Sequence, residues 1–371
     1  MTPHWTSLHV ERFRRLRDFR LDDLGPVNLL VGKNNSGKTS VLEALSVLSH
    51  PLSAFTWIDT ARERELKSSR TPVLETVNWL FPHDQPRTNG FEGVVALRGV
   101  KKDGGATWQT RATYKEYRRT ELTASGSSTA RTEAEAADDE SEYVAQLDVV
   151  AELILQGGQR ISGGLESFKF SGSAYSAATN ESARFNACQL VTPVSHRTNL
   201  SLLHALSRII REDRKQEIVS LLKLLAPDVE DIEILSPEGR GIAVEVKHRG
   251  VGFIPLAMEG DGMRRTLAIA AATTLARSGV LLVDEVETAL HPEALTEVFG
   301  LLVKICAAAN VQLFVTTHSL EAVDAMLSSV ENPASGLVAY HLPPRNSSQS
   351  VVRLGGNSIR DMRRVGGLDF R

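Results

Sequence analysis

Two spacings of apolar residues predict that strands and helices alternate along much of the chain. VNLLV at 27–31 is a short run of branched apolar side chains, typical of a buried strand, and SVLEALSVLS at 40–49 has apolar residues at helical spacing. The same order returns later, with strand, helix, strand and helix predicted for 279–285, 292–309, 311–317 and 320–329. Strands that alternate with helices predict a parallel sheet with crossover helices.

The middle of the chain follows a different pattern, in which strand-like alternation dominates. Segments at 91–99, 107–117 and 142–155 are bounded by Gly-rich turns and predict an antiparallel sheet. Residues 120–142 are mostly small, hydroxylated or acidic, so they cannot bury enough apolar surface to become ordered. We expect this stretch to be a mobile, disordered loop.

Helical spacing returns at 199–225, on both sides of the charged run REDRKQE, and predicts either two helices or one long helix. Two strands, at 230–235 and 242–248, and a helix at 263–276 are predicted next. The Arg-bearing tail at 353–371 has no predicted element.

Composition limits the class of protein. The 371 residues are 42% hydrophobic, and 42 basic against 45 acidic side chains give a formal charge of −3. This length predicts two or three folding units and excludes wholesale disorder, while the near-neutral charge argues against coating nucleic acid by bulk charge. Without an apolar stretch of about 20 residues or a signal-peptide core, we expect a soluble, cytoplasmic protein with no membrane partner. Cys188 and Cys306 are far apart in apolar runs, so we expect two buried thiols rather than a disulfide or metal site.

Residues 32–39, GKNNSGKT, fit the pattern GxxxxGK[ST] between a predicted strand and a predicted helix. Glycines let the backbone N–H groups surround a polyphosphate, and the N-terminus of the following helix adds positive potential. Lys38 is expected to contact the β- and γ-phosphates of ATP, and the Thr39 hydroxyl to bind Mg²⁺. The predicted cofactor-binding residues are Gly32, Asn34, Asn35, Ser36, Gly37, Lys38, Thr39 and Ser40.

Two carboxylates end the apolar strand VLLV at 280–283. An interior parallel strand has no use for charge at its end unless a cation lies there, so we expect Asp284 to hold Mg²⁺. Glu285 is then expected to orient the attacking water and to accept its proton. His318 follows the next predicted strand, where it can hydrogen-bond the γ-phosphate. Glu285, His318 and Lys38 are the predicted catalytic residues.

These segments together resemble the ABC-type ATPases of the SMC/RecF/overcoming-lysogenization-defect group, which includes AAA15- and AAA21-like ATPases. The resemblance rests on the N-terminal segment LHVERFRRLRDFRLDDLGPVNLLVGKNNSGKTSVLEAL and on the C-terminal segments EGDGMRRTLAIAAA, VLLVDEVETALHPE and FVTTHS. It implies a P-loop NTPase of the α/β class: an ABC-ATPase head with a mixed or parallel sheet, an N-terminal antiparallel β subdomain and a helical insertion.

The resemblance also implies that two copies enclose ATP between them. EGDGMRR occupies the place of the ABC signature, which contacts the nucleotide of the other protomer, with Gly260 in place of the usual serine. The contact would then depend on the N–H groups of Gly260 and Gly262 and on Arg265. No clear glutamine loop is visible; Gln189 comes early, and Ser195, His196 or Arg197 are the alternatives. His291 either faces the dimer partner or only begins the next helix.

The distance between motifs predicts a discontinuous head. Lys38 and Asp284 must meet at one Mg²⁺, so both ends of the chain contribute to one site. We expect an N-terminal lobe at 1–190, a helical insertion at 191–230 and a C-terminal lobe at 231–371. The middle is too short for SMC arms, and the 53 residues after His318 lack the acidic DxD cluster of a TOPRIM nuclease. An ATPase head alone is therefore expected.

The leading functional hypothesis is an ATPase that forms a dimer or higher oligomer around ATP and gates a separately encoded effector, such as a TOPRIM-type nuclease. By resemblance to head-only members of the group, the setting would be prokaryotic defence against phage or plasmid. The alternative is a RecF-like repair ATPase that clamps DNA directly. A transporter ATPase and a non-hydrolysing scaffold are further alternatives. Basic clusters at 12–20, 208–215 and 360–364 either bind DNA phosphates or are solvated faces interleaved with acids.

Overall fold

Strands from both ends of the chain meet in one mixed sheet. The computed structural model describes residues 4–63, 73–84, 91–102, 105–118, 143–171, 174–177, 187–197, 199–236, 241–290, 295–330, 336–344 and 350–366. Within these ranges the sheet contains, in spatial order, Val352–Gly355 (β16), Leu337–His341 (β15), Val27–Val31 (β3), Gln312–Thr316 (β14), Val280–Val283 (β13) and Cys188–Val191 (β9). Each strand from β15 to β9 in this order pairs with the next in parallel, whereas β16 pairs with β15 in the antiparallel direction. The parallel sheet predicted from alternation is thereby confirmed.

An antiparallel sheet covers one side of this core. Its described strands are, in spatial order, Leu16–Leu21 (β2), Trp5–Phe13 (β1), Glu92–Lys101 (β4), Thr107–Arg118 (β5), Tyr143–Ile154 (β6), Arg160–Ser171 (β7) and Ala174–Ala177 (β8). Helices Lys38–Ser49 (α1), Ala54–Arg62 (α2) and Val73–Asn78 (α3) contribute buried residues to the core between the two sheets. The prediction of β4, β5 and β6 as antiparallel strands is confirmed.

Successive residues of β3 enter different cores. Leu30 packs with the antiparallel sheet and α1, whereas Leu29 and Val31 pack with helices Leu295–Ala308 (α7) and Leu320–Ser329 (α8). A strand covered on both faces requires apolar residues at consecutive positions, which explains the uninterrupted run VNLLV. Asn28 is the exception, and its buried amide bonds the backbone oxygens of Gly25 and Leu313 at 2.7 and 3.2 Å.

A third core lies around a small antiparallel sheet. Its described strands are Val229–Leu235 (β10), Ala243–His248 (β11) and Gly252–Pro255 (β12), and they pack with helices Asn199–Arg211 (α4), Lys215–Leu225 (α5) and Asp261–Leu275 (α6). The segment 199–225 is therefore two helices, which decides between the two alternatives. The predicted helix at 263–276 begins earlier, at Asp261, so its first turn lies inside the signature segment.

Several expectations change. The C-terminal tail, for which no element is predicted, contains most of β16 and helix Gly356–Gly366 (α9). Cys306 is buried as expected, but Cys188 is partly exposed at the start of β9. The division into three units remains a prediction, and its boundaries after 190 and 230 fall inside β9 and β10. The expected loop at 120–142 lies outside the described residues. No helix in the described part of the chain is long and apolar enough to cross a membrane.

Candidate functional site

The loop between β3 and α1 has the backbone that its glycines permit. Gly32 and Gly37 have φ values of 146° and 97°, a region that other residues rarely adopt. A Cβ on Gly32 would lie 2.6 Å from the Leu342 backbone oxygen. Helix α1 starts at Lys38 without a side-chain cap, which leaves its first N–H groups available to an anion.

Lys38 is buried beneath this loop. Its Nζ donates to the backbone oxygens of Gly32 and Lys33 at 2.7 and 3.1 Å and lies 3.5 Å from Nδ1 of His318. Burial lowers the pKa of Lys38, against the opposing effect of three nearby carboxylates, those of Asp284, Glu285 and Glu287. The ammonium is therefore a poorly solvated cation for which phosphate oxygens would be favourable partners.

Thr39 and Asp284 meet although they are 245 residues apart in sequence. The Thr39 hydroxyl donates to Oδ2 of Asp284 at 2.9 Å, and the Thr316 hydroxyl donates to Oδ1 at 2.5 Å. A hydroxyl and a carboxylate oxygen are the hard ligands that Mg²⁺ prefers, and this ion usually keeps waters and phosphate oxygens as its other ligands. Consistent with so sparse a protein ligand set, the described residues contain no cluster of three or more His, Cys, Asp or Glu suited to a metal. The donor set thus fits Mg²⁺ shared with a nucleotide.

Glu285 and His318 lie together at the mouth of the site. Nε2 of His318 is 3.8 Å from Oε1 of Glu285, and their side chains are 35% and 43% exposed, respectively. The Glu285 N–H donates to the Thr316 hydroxyl at 2.8 Å. Both side chains can therefore reach water and a bound phosphate, and the Glu285 backbone is held by the end of β14.

These groups face a cavity of about 1420 Å³. The loop residues Asn34 to Ser40 line one wall, and the turn between β1 and β2 with residues 79–84 lines another. Arg14 joins the second wall to α1, since its Nε is 2.7 Å from Oε2 of Glu43 and its Nη1 donates to the Trp79 oxygen at 3.3 Å. The volume exceeds that of typical ligand pockets, about 300 to 1,000 Å³, so a nucleoside triphosphate can be accommodated.

The signature glycines lie elsewhere. Gly260 and Gly262 are not among the residues that line this cavity, and Gly260 is the residue before α6. A Cβ on Gly260 would meet nothing within 4 Å, while one on Gly262 would lie 3.5 Å from the Ala289 oxygen. The structure therefore does not bring these glycines to the cavity beside the phosphate-binding loop of their own chain.

Arg265 corrects an expectation. It is fully buried, so it is not placed to contact a partner's nucleotide. Its guanidinium donates to the backbone oxygens of Thr192, Asp284 and Glu285, with 2.9 Å to Asp284 and 3.4 Å to Glu285. Burial lowers its pKa to about 10. Helical periodicity explains the difference, because Arg265 shares the inner face of α6 with the buried residues Ala268, Ile269 and Ala272.

Gln189, Ser195 and His196, three of the glutamine-loop candidates, do not line the cavity either. Gln189 lies within β9 beside Leu281, His196 is buried, and Ser195 accepts from the Thr192 N–H at 2.8 Å. The side chain of Arg197 and all of His291 lie outside the described residues.

Sequence reasoning missed three contributors to the site: Thr316, Glu287 and the Arg14–Glu43 pair. The sequence predicts Thr316 only as a strand residue, although a hydroxyl at the end of a parallel strand, beside a strand that ends in a carboxylate, is a signal for this role. Glu287 accepts from the His318 N–H at 2.8 Å, across 31 residues of sequence.

Two family models match this chain. The family model described as "AAA domain, putative AbiEii toxin, Type IV TA system" matches residues 112–324, and one described as "AAA ATPase domain" matches 6–88. An uncharacterized protein of Methanocaldococcus jannaschii is 34% identical over 114 residues, which are 30% of this chain and 98% of that protein. The DNA replication and repair protein RecF of Saccharophagus degradans is 48% identical over 48 residues, only 13% of either chain.

The chain is also similar to two solved structures. The SMC head domain from Thermotoga maritima has a TM-score of 0.42 and 12% identity, covering 95% of this chain and 99% of that one. The Smc head domain with an extended coiled coil bound to the C-terminal domain of ScpA, derived from Pyrococcus furiosus, has a TM-score of 0.48 and 13% identity. It covers 98% of this chain and 99% of that one.

The first family model spans more than half of the chain and includes the Asp284–Glu285 strand end and His318, while the second contains the phosphate loop. The chain therefore belongs to the family described as "AAA domain, putative AbiEii toxin, Type IV TA system".

Proposed function

We propose that this protein binds ATP with Mg²⁺, hydrolyses it to ADP and phosphate, and uses the cycle to open and close a dimer that controls a separate effector. The observation that carries the proposal is the convergence of Lys38, Thr39, Glu285 and His318 at one cavity, with the Asp284 carboxylate hydrogen-bonded to Thr39. These residues come from distant parts of the sequence, and this is the set that phosphoryl transfer requires.

Each residue has a role that its position supports. Lys38 would neutralise charge on the β- and γ-phosphates, while Thr39 and Asp284 would hold Mg²⁺, which supplies further positive charge to the phosphate oxygens. Glu285 would accept a proton from the water that attacks the γ-phosphorus, as the bond to the bridging oxygen of ADP breaks. His318 lies between Lys38 and Glu285 and would donate to the γ-phosphate.

Dimer formation is supported by where the signature lies. Gly260 and Gly262 do not line their own chain's cavity. If they act on a nucleotide, that nucleotide is bound by a second copy. Two chains would then enclose two nucleotides, and hydrolysis would remove the γ-phosphate that joins them.

Control of a separate effector is supported by how the basic residues are used. In the first cluster, Arg12 and Arg17 pair with Asp84, Arg14 with Glu43, and Arg20 with Asp18. In the other two clusters, Lys215 pairs with Asp231 and Glu233, and Arg363 with Asp324. Cations already paired within the chain attract DNA phosphates weakly. Together with the toxin–antitoxin description of the family, this favours a defence system with a separately encoded toxin or nuclease.

A RecF-like clamp remains the second candidate, because the match to RecF is 48% identical where it occurs. It predicts ATP-dependent, salt-sensitive binding of duplex DNA by this chain alone, with log K falling linearly as log salt rises. The effector hypothesis predicts no such binding, and co-purification of a second gene product from the native operon.

Two variants test the ATPase proposal. We expect Glu285→Gln to slow steady-state hydrolysis by about 10² to 10⁴-fold while ATP affinity is kept, because only the general base is removed. Lys38→Ala should instead abolish ATP binding, measured by calorimetry.

Trp79 offers a second readout, since it is 58% exposed in the same cavity whereas Trp5, Trp57 and Trp108 are buried. Bound nucleotide should therefore change the fluorescence of Trp79. Hydrolysis at the normal rate by Glu285→Gln would contradict the assigned base.

A further inference from the structure

We propose that Glu287 is a positioning residue, which fixes His318 in the catalytic arrangement by holding its backbone. The inference rests on the proposed function, because it assigns Glu287 a part in ATP hydrolysis. Glu287 follows Glu285 by two positions, in the segment between β13 and α7, and its Oε1 accepts from the His318 N–H at 2.8 Å.

This bond completes a connection between two loops. Thr316, at the end of β14, accepts the Glu285 N–H at its hydroxyl and the Val286 N–H at its backbone oxygen, at 2.8 and 3.0 Å. These bonds hold the base segment to the end of the strand. Two residues further along each loop, Glu287 makes the next link, to His318. The loop that carries the base and the loop that carries the imidazole therefore have a fixed spacing.

The position of the imidazole depends on that spacing. Nδ1 of His318 lies 3.5 Å from Nζ of Lys38, and Nε2 lies 3.8 Å from Oε1 of Glu285. The His318 side chain is 35% exposed. Its orientation toward the phosphates therefore relies on a well-held backbone. A displacement of about 1 Å in a catalytic group can reduce a rate by about 10²-fold.

Glu287 has two possible roles, as a hydrogen-bond acceptor or as a negative charge. Oε2 of Glu287 is buried and has no hydrogen-bond partner among the described residues. The Glu287 carboxylate also contributes negative charge near Lys38 and Arg265. Glu287 acts either through the acceptor at Oε1 or through its charge. The geometry points to the acceptor, since that oxygen makes the 2.8 Å bond.

Substitutions distinguish acceptor from charge. Glu287→Gln keeps an oxygen that can accept from His318 and removes the charge, whereas Glu287→Ala removes both. We expect Glu287→Ala to lower kcat by about tenfold or more with little change in KM for ATP. Glu287→Gln should stay within about threefold of the parent. The matched control is Glu321→Ala, which removes an acid from the first turn of α8 that bonds Ser319 rather than His318; its rate should be unchanged.

A double-mutant cycle tests whether Glu287 acts through His318. In a His318→Ala background, Glu287→Ala should cause no further loss of kcat, because the group that it positions is already missing. Equal losses in Glu287→Gln and Glu287→Ala would assign the effect to charge and overturn the inference, as would full additivity with His318→Ala. If the parent protein shows no ATPase activity at all, the proposed function fails instead, so the two failures are distinguishable.

Discussion

Glu285 has a backbone conformation that residues other than glycine rarely adopt, with φ of 44°. Such a conformation costs roughly 1 to 3 kcal/mol and persists only where neighbouring bonds determine it. Here Thr316 holds the N–H of Glu285, and the Glu285 oxygen accepts from the Thr288 N–H at 2.9 Å. The strained turn keeps the Glu285 carboxylate partly exposed at the cavity instead of letting it continue along the strand.

Arg265 provides a prediction about stability. Arg265→Met removes a buried guanidinium that donates to three backbone oxygens and leaves those oxygens without these donors. Because bonds to charged groups contribute about 1.5 to 3 kcal/mol each and are not additive, we expect the free energy of unfolding to fall by roughly 3 kcal/mol. Urea denaturation measures this change.

The neighbouring arginine is the matched control. Arg264 has a side chain that is 25% exposed and pairs with Asp261. Arg264→Met should therefore cost less than about 1 kcal/mol, as expected for a partly solvated ion pair. Equal losses in the two variants would show that the bonds of Arg265 contribute nothing beyond an ordinary surface contact.

For single residues, the sequence indicates the catalytic and ligand-binding residues better than it indicates which groups a residue contacts in the fold. Lys38, Thr39 and Asp284 are predictable because a spacing pattern fixes the backbone around them. Arg265 is not, since a single arginine in an ungapped helix gives no sign of which face is buried. Glu287 is missed for a similar reason: its partner is a backbone N–H, which every residue except proline has.

One side-chain cluster links β11 to the segment before α6. His248 lies between two carboxylates, with Nδ1 2.8 Å from Oδ2 of Asp228 and Nε2 2.9 Å from Oε1 of Glu259. The hydrogen bond with Asp228, aided by that with Glu259, raises the pKa of His248 despite partial burial. Glu259 directly precedes Gly260, so a protonated His248 anchors the start of the signature helix to the small sheet.

The pH dependence of stability follows from this anchor. A pKa raised on folding means that the native state binds the proton more tightly, so the contribution is fully present below about pH 6.5 and is lost as pH rises through the folded pKa. We expect His248→Asn to reduce unfolding free energy by about 1 to 3 kcal/mol near pH 6, and by less near pH 9. Urea denaturation at both pH values checks this.

His9→Asn is the comparison for this prediction, because the partner of His9, Asp18, is 75% exposed and solvent weakens the pair. Its effect should be smaller at both pH values. If the loss of unfolding free energy in His248→Asn does not change with pH, the imidazole stabilises the fold in its neutral form.

The elements themselves are largely predictable where the pattern is strong. Strand β3 and helix α8 have the predicted bounds, because each has an uninterrupted apolar pattern flanked by turn or capping residues. Strand β7 is missed, since Gly163 and Gly164 interrupt the alternation of apolar and polar residues. Helix α9 is missed as well, because its polar and basic residues resemble those of a solvated tail.

For the whole molecule, Gly260 offers a way to separate nucleotide binding from dimerisation. Its φ of −62° suits any residue, and a Cβ there would meet nothing within 4 Å. Gly260→Glu should therefore fold normally and bind ATP as tightly as the parent in calorimetry. Because a carboxylate would repel the γ-phosphate of the opposite chain, we expect no ATP-dependent dimer in light scattering and at least about tenfold slower hydrolysis.

Gly260→Ala is the control, since it adds a side chain without charge; it should retain some ATP-dependent dimer. The dimer is best observed in the Glu285→Gln background, where ATP persists. Normal hydrolysis by Gly260→Glu would show that one chain is a complete catalytic unit.

The discontinuous head is predictable from the sequence, because the two halves of the proposed magnesium site must meet. The sequence does not predict how the two halves are joined. Gln312 is fully buried in β14, where its Nε2 donates to the backbone oxygens of Trp5 and Gly25 at 2.9 Å each. A glutamine in a strand gives no indication that it ties the N-terminal strand to the centre of the sheet.

Strand β3 lies between β14 and β15, and this placement matters during synthesis. Both strands that pair with β3 come late in the sequence, and Asn28 bonds Leu313 across 285 residues. Both edges of the apolar β3 therefore stay unpaired until most of the chain has left the ribosome. At about 5 to 20 residues per second, this interval is roughly 15 to 60 s. Exposed strand edges are sites of aggregation, so the newborn chain passes through a period in which it needs a chaperone more than the finished protein does.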